Sequence, residues 1–166
     1  MNSKILNSIL FLGISLTSMA QVDFKLIPIV EAASNAALSN KLVFAYFTAE
    51  GCAPCVVLEK TVFSDDSFGT YINEKFVAVK SNGVSVNSKF EKMRHKIHAF
   101  PTIVYFDATG AELFRIEGKK TKEELMLVSN LILNGEIEKA IEMYPIPVHE
   151  DDIFSKDSVP NGGKIK

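Results

Sequence analysis

Two cysteines, Cys52 and Cys55, are the residues of this sequence whose type and spacing most directly indicate chemistry. An apolar run, LVFAYF, precedes them and helical spacing of apolar residues follows, so the pair lies where a buried strand gives way to a helix. Backbone N–H groups and the helix dipole stabilise a thiolate at a helix N-terminus, and the thiolate is the attacking species in thiol–disulfide exchange. The pattern predicts that Cys52 is an exposed nucleophile and Cys55 the more buried resolving thiol.

Two other interpretations of the Cys pair stay open. A zinc ion needs four ligands, and His95 and His98 would have to supply the other two from a predicted helix about forty residues away. A permanent structural disulfide would close a very small loop and contribute little, since the stabilisation rises with loop length. Redox exchange is the favoured interpretation, and no metal site is predicted.

The composition restricts the class of protein. The chain has 166 residues, of which 47% are hydrophobic and twelve are Phe, enough for one domain with a real core. The 18 basic and 20 acidic side chains argue against binding to a nucleic acid backbone. Two Cys are too few for a disulfide-dense scaffold or a four-thiolate zinc site.

Residues 1–20 have the pattern of a secretory signal peptide. Lys4 supplies the positive start, an apolar stretch over 5–16 follows, and Ser18 and Ala20 are the small residues before a cleavage site. A retained membrane anchor is the alternative, but the apolar run is interrupted and shorter than the roughly 20 residues of a spanning helix. The sequence predicts an exported protein, periplasmic or secreted, with no stable membrane anchor after cleavage.

Periodicity and turn residues predict one domain over 21–144, followed by a polar, poorly ordered tail over 145–166. The predicted helices cover 28–41, 52–62, a segment capped by Ser64 or Asp65, 88–98, a segment with a capping box at Thr121 and Glu124 and an end at Gly135, and 136–144. The predicted strands cover 42–47, 76–80, 102–106 and 111–116. In the fourth helix, Phe90, Met93 and Ile97 follow one another at spacings of three and four.

Three segments make the chain resemble the thioredoxin superfamily: FAYFTAEGCAPC ending at Cys55, AFPT around Pro101, and TIVYFDATG after it. The stretch CAPCVVLEKTVFSDDSF followed by FVAVK is most similar to the C-terminal domain of the bacterial thiol:disulfide interchange protein and its secreted single-domain relatives. The resemblance covers about 29–133. It implies an α/β thioredoxin fold, in which helices flank both faces of a mixed central sheet of about four strands.

The resemblance also implies a site. Pro101 would follow a cis peptide bond and face the Cys pair, and Phe100 would contact a substrate peptide together with Gly51, Ala53 and Pro54. The partners would be disulfide-containing protein substrates and a membrane reductase that donates electrons. No cofactor is needed because the thiols carry the electrons, and a monomer is expected.

Two positions near the Cys pair depart from the superfamily pattern, and a third matches the interchange domain. Gly51 and Tyr46 stand where the superfamily usually has a Trp and a buried Asp. Glu59 matches an acidic residue of the interchange domain, where its charge would raise the pKa of the thiols. Glu59 as a solvated helix residue is the alternative, and nothing in the sequence establishes a contact with Lys80.

The favoured hypothesis is an exported thiol–disulfide oxidoreductase. The Ala53-Pro54 linker is close to the Gly-Pro of reducing thioredoxins, which favours reduction of substrates. A non-catalytic thioredoxin-fold binding protein with a fixed disulfide is the rival hypothesis.

Overall fold

The computed structural model describes residues 21–83 and 85–149. The predicted signal peptide over 1–20 lies outside the described residues, as do residues 150–166 of the predicted tail. The strands are β1 (Leu42–Phe47), β2 (Phe76–Ser81), β3 (Thr102–Phe106) and β4 (Glu112–Glu117). The helices are α1 (Ile29–Ser39), α2 (Ala53–Leu58), α3 (Asp66–Lys75), α4 (Val86–Arg94), α5 (Lys122–Leu133) and α6 (Ile137–Met143), and α2 continues into a short π-helical segment, Glu59–Phe63.

The four strands form one mixed sheet in the order β2–β1–β3–β4. β1 pairs parallel with β2 and antiparallel with β3, and β4 returns antiparallel along β3. β1 lies inside the sheet because its apolar side chains are buried on both faces, as its unbroken apolar run predicts. The predicted thioredoxin fold with a mixed central sheet is therefore confirmed.

Alternate residues of β1 point into two apolar clusters, one on each face of the sheet. Phe44 and Tyr46 belong to the cluster under α2, α3 and α5, which also contains Cys55. Ala45 and Phe47 belong to the smaller cluster under α1. The disulfide-forming pair is thus anchored on the larger core.

Helix ends follow the predicted capping residues. Asp65 caps α3 by accepting a hydrogen bond from the N–H of Phe68 at 2.9 Å. At α5, the N–H of Glu124 donates to Thr121 and the N–H of Thr121 donates to the Glu124 carboxylate, which completes the capping box. Gly135 follows α5 with a φ of +75°.

The face of α4 that packs on the domain is not the apolar one. Phe90 and Met93 are 55% and 72% exposed, whereas Glu91 is only 9% exposed. The Glu91 carboxylate accepts a hydrogen bond from the N–H of Ile29, in the first turn of α1, at 3.3 Å. It also lies 3.2 Å from the Nε2 of His95, so a polar pair occupies the inner face.

Residues 145–149 have no regular secondary structure, and His149 contacts the Glu117 carboxylate at 3.1 Å. Within 21–83 and 85–149, none of the helices has the length and apolar character needed to cross a membrane.

Candidate active site

Cys52 and Cys55 form a disulfide at the start of α2, with Cα atoms 5.3 Å apart. Cys52 is the N-cap residue, and its carbonyl oxygen accepts hydrogen bonds from the N–H groups of Cys55 and Val56 at 3.1 and 3.2 Å. Its Sγ accepts a further one from the N–H of Cys55 at 3.3 Å. One N–H of the first helical turn therefore points at the first sulfur, and a sulfur at a helix N-terminus is placed where the helix stabilises a thiolate.

The two sulfurs differ in access. Cys55 is 1% exposed and belongs to the larger apolar cluster, whereas Cys52 is partly exposed at the rim of that cluster. Only the first sulfur can meet an incoming disulfide, while the second can reach it from inside the protein.

A short loop carries the chain from the sheet to the pair. The N–H of Thr48 donates to the carbonyl of Ser81 at 2.9 Å, which ties the end of β1 to the end of β2. The N–H of Cys52 donates to the carbonyl of Ala49 at 3.3 Å, and Gly51 has a φ of +74°. The pair thus lies beyond the carboxyl ends of the two parallel strands, where α/β proteins usually place their sites.

The Phe100–Pro101 peptide bond is cis, as the resemblance implied. The buried Pro101 accepts a hydrogen bond from the N–H of Gly118 at 2.8 Å, and the Thr102 hydroxyl donates to the carbonyl of Ala99 at 2.8 Å. Phe100 is partly exposed and packs against the same apolar cluster as Cys52. These hydrogen bonds and the packing of Phe100 therefore fix the segment at the start of β3 against the larger apolar cluster.

Glu59 has two polar partners. Its Oε1 accepts a hydrogen bond from the Tyr46 hydroxyl at 3.0 Å and lies 2.9 Å from the Nζ of Lys80. The Lys80 ammonium also lies over the Tyr46 ring, 5.7 Å from its centroid. Burial raises the pKa of Tyr46 well above its usual range, and the Glu59 charge adds to this rise, so the hydroxyl stays protonated and donates.

This polar group and the disulfide share one open cleft of about 330 Å³. Both cysteines line it together with Glu59 and Lys80. The Glu59 carboxylate disfavours a second negative charge in the cleft and so acts to raise the pKa of a thiol there. The Lys80 ammonium favours a negative charge and acts in the opposite direction. Glu59 is therefore both partly solvated, with 37% of its side chain exposed, and held by polar partners beside the disulfide.

The histidines do not support the zinc interpretation. His95 packs edge-on against Phe106 at 4.8 Å, in contact with the cluster on the face of the sheet opposite Cys55. The His98 ring lies 4.4 Å from the His149 ring. Among residues 21–83 and 85–149, no group of three or more His, Cys, Asp or Glu is placed to hold a metal ion.

Sequence reasoning missed the polar role of Tyr46. The sequence marks this position only as a departure from a buried Asp, whereas the structure shows its hydroxyl on Glu59. Thr48 and Asn82 also line the cleft and were not singled out. Their position in the sequence could have identified them, because Thr48 follows the end of β1 and Asn82 follows the end of β2, and these two strands are parallel.

Comparison with known proteins agrees with this geometry. The solution structure of a candidate disulphide isomerase from Bacteroides thetaiotaomicron is 27% identical, with a TM-score of 0.60 over 69% of this chain and 95% of that one. A Thermus thermophilus thioredoxin is 20% identical (TM-score 0.55; 70% and 86% covered), and a thioredoxin-fold protein from Helicobacter pylori is 19% identical (TM-score 0.54; 70% and 79% covered). Comparison with curated proteins gave no match. Residues 29–130 match the family model described as a thioredoxin-like domain, and the chain belongs to that family.

Proposed function

We propose that this protein is an exported thiol–disulfide oxidoreductase that reduces disulfides in protein substrates through Cys52 and Cys55. The observation that carries the proposal is the unequal burial of two bonded sulfurs at a helix N-terminus, with Cys55 1% exposed and Cys52 partly exposed. Export is supported by the signal-peptide pattern of residues 1–20.

The reaction begins from the reduced pair. The Cys52 thiolate attacks one sulfur of the substrate disulfide, that bond breaks, and the other substrate sulfur leaves as a thiolate that takes up a proton. Cys55 loses its proton and attacks the Sγ of Cys52, which breaks the mixed disulfide and releases the second substrate thiolate. Two electrons pass to the substrate, and the protein is left with the disulfide seen in the structure.

The surroundings supply orientation and charge. Gly51, Ala53 and Pro54 are exposed around Cys52, and Phe100 is partly exposed beside Pro101. These residues form the surface that a substrate peptide contacts. Glu59 and Lys80 set the charge in the cleft, and no prosthetic group takes part.

The linker between the cysteines supports reduction of substrates as the direction of electron flow. Ala53-Pro54 lacks the His of strongly oxidising relatives, and we expect a reduction potential nearer about −270 mV than about −120 mV. A membrane reductase that supplies a dithiol would regenerate the reduced pair outside the cytoplasm. Equilibration with glutathione measures the potential, and a value near that of strong oxidants would contradict the reductase direction.

The decisive test is trapping with Cys55→Ser. If Cys52 is the nucleophile, the variant should accumulate mixed disulfides with its substrates, while Cys52→Ser should not. The wild-type protein should also reduce insulin when dithiothreitol is supplied. A folded Cys55→Ser protein that traps nothing, together with a wild type inactive on insulin, would instead identify a binding protein with a fixed disulfide.

A further inference from the structure

Helix α4 (Val86–Arg94) presents an apolar stripe to solvent. Val86 is 82% exposed, and Phe90 and Met93 are 55% and 72% exposed. At about 100° per residue these three side chains fall within an arc of about 60° on one side of the helix. We call them the α4 stripe. The exposure is unusual because a helix of a monomeric domain normally buries such a stripe.

The opposite side of the helix explains why the stripe faces outward. Glu91 and His95 point inward, where the Glu91 carboxylate holds the N–H of Ile29 and approaches His95 within 3.2 Å. Because this polar pair anchors α4, the helix cannot rotate the stripe into the core without leaving a buried charge unpartnered.

Cations flank the stripe. The exposed Lys89 and the partly exposed Lys92 lie on one side of it, and the exposed Arg94 lies on the other. The only carboxylate of the helix, Glu91, is turned inward. An apolar stripe edged by three basic side chains is complementary to a segment that is both acidic and apolar.

Each end of α4 adjoins a segment of the candidate active site. Lys92 lies over the Phe100 ring, with its Nζ 4.5 Å from the ring centroid, and Phe100 precedes the cis Pro101. At its other end α4 begins at Val86, four residues after Asn82, which lines the cleft of the disulfide. A chain that lies along the stripe therefore extends from the surface where a substrate disulfide would react.

We propose that the α4 stripe is a docking surface for substrate proteins in which an acidic, apolar segment lies next to the reactive disulfide. This rests on the proposed function and adds a substrate class to it. Val86, Phe90 and Met93 contact the apolar residues of the segment, and Lys89, Lys92 and Arg94 attract its carboxylates.

Two probe peptides test the proposal. Each probe carries one Cys in a mixed disulfide with an aryl thiol that is coloured when released. Next to this Cys lies a run of charged residues followed by Ile and Phe. The charged residues are Glu in the acidic probe and Lys in the basic probe. The reduced wild-type protein should cleave the acidic probe with a kcat/KM at least about fivefold higher than the basic one. The preference should shrink as salt is added.

Variants then show which residues cause the preference for the acidic probe. For each variant we compare kcat/KM for the acidic probe with kcat/KM for the basic probe, because a general loss of activity lowers both values and leaves their ratio unchanged. Lys89→Glu should lower or invert the ratio, whereas Lys139→Glu on the distant α6 should leave it near the wild-type value. Phe90→Ser with Met93→Ser should lower kcat/KM for both probes by about the same factor. Leu38→Ser, which alters an 88% exposed side chain of α1, is the matched apolar control.

The outcomes separate the two proposals. Equal kcat/KM for both probes in the wild type overturns the docking surface, while a wild type that cleaves neither probe nor a small dialkyl disulfide overturns the proposed function itself. A third outcome names a different occupant. The chain's own residues 150–154, EDDIF, have the same chemistry as the acidic probe. If Ile153→Ser with Phe154→Ser is needed before any preference appears, that segment covers the stripe and substrate docking is overturned.

Discussion

The Tyr46 hydroxyl donates a hydrogen bond to the Glu59 carboxylate at 3.0 Å, which joins the buried strand β1 to the helical segment that carries the Cys pair. Lys80, from β2, completes the group at 2.9 Å from the same oxygen. The negative charge of Glu59 and the positive charge of Lys80 offset each other. Removal of either charge therefore changes the electrostatic potential in the disulfide cleft. This makes the charge of the cleft open to direct test.

Glu59→Gln should make the reduced protein react at lower pH. Without the carboxylate, and with the Lys80 ammonium left behind, a thiolate in the cleft is more favourable. We expect the midpoint of the pH dependence of iodoacetamide alkylation at Cys52 to fall by about half a unit to one unit, a modest shift because solvent enters the cleft.

Lys80→Met is the matched control, because it leaves the Glu59 carboxylate and removes its cation. The midpoint should move in the opposite direction, to higher pH. If both substitutions moved it the same way, or neither moved it, the charge of Glu59 would have no part in setting thiol reactivity.

Alkaline pH should destabilise the fold through the phenols of Tyr46 and Tyr105, which are buried, and of Tyr71, which is partly buried. Burial raises the pKa of Tyr71 to about 12 and raises the pKa values of Tyr46 and Tyr105 further. In the unfolded chain these groups ionise near pH 10, so above that pH the unfolded state loses protons that the folded state keeps. The free energy of unfolding is therefore unaffected by them below pH 10 and falls as the pH rises from 10 towards 12, by up to about 1.4 kcal/mol per pH unit for each tyrosine.

Urea unfolding at pH 8, 10 and 11 measures this loss. Tyr105→Phe removes one of the buried phenols, whose oxygen lies 2.9 Å from the Ser129 hydroxyl, and should reduce the slope above pH 10 although it also lowers the stability at pH 8. A slope that is the same with and without Tyr105 would show that this group does not control the alkaline transition.

The capping box at α5 gives a prediction about stability alone. Thr121→Ala removes the oxygen that accepts from the N–H of Glu124 at 3.2 Å, so one N–H of the first turn loses its partner. The free energy of unfolding should fall by about 1 kcal/mol. Ser34→Ala, within the exposed side of α1, is the control and should change it by less than about half of that. Equal effects would mean that the cap is not what stabilises α5.

The features that the sequence predicts well are those that depend on neighbours in the chain. The unbroken apolar run of β1 indicates a strand buried on both faces, and Thr121 with Glu124 marks the start of α5 from residues three positions apart. The position of the Cys pair at the start of α2, shortly after β1, is predicted in the same way. In each case the signal and the structure it predicts lie within a few residues.

The features that the sequence does not predict depend on distant partners. The spacing of Phe90, Met93 and Ile97 predicts one inner helix face, but α4 ends at Arg94 and, of the three, Ile97 alone is buried. Glu91 accepts a hydrogen bond from the N–H of Ile29, 62 residues away, and Phe90 and Met93 face solvent. The contact of Glu59 with Lys80 likewise needs the parallel register of β1 and β2, in which Tyr46 lies opposite Lys80. Local periodicity carries no information about such pairings, and a single buried polar pair can outweigh an apolar stripe.

Substitution of Gly51, the residue before Cys52, should destabilise the protein because of the backbone conformation at this position and not because of steric crowding. Its φ is +74°, a conformation that residues with a Cβ rarely adopt, yet a Cβ built there meets nothing within 4 Å. Gly51→Ala should therefore lower the free energy of unfolding by about 1 kcal/mol, and Gly51→Asn by less, because Asn tolerates this region.

Gly51→Trp separates the two causes, since it adds the largest side chain at the same φ. If backbone strain alone matters, its cost should match that of Gly51→Ala within a few tenths of a kcal/mol in urea unfolding of the oxidised protein, because the Cβ from which the ring extends meets nothing within 4 Å. A Trp variant that is far less stable than the Ala variant would show that the loop before Cys52 is closed by neighbouring groups. A fully stable Ala variant would show that the loop relaxes to a negative φ, in which case Gly51 is not required to present Cys52 at the start of α2.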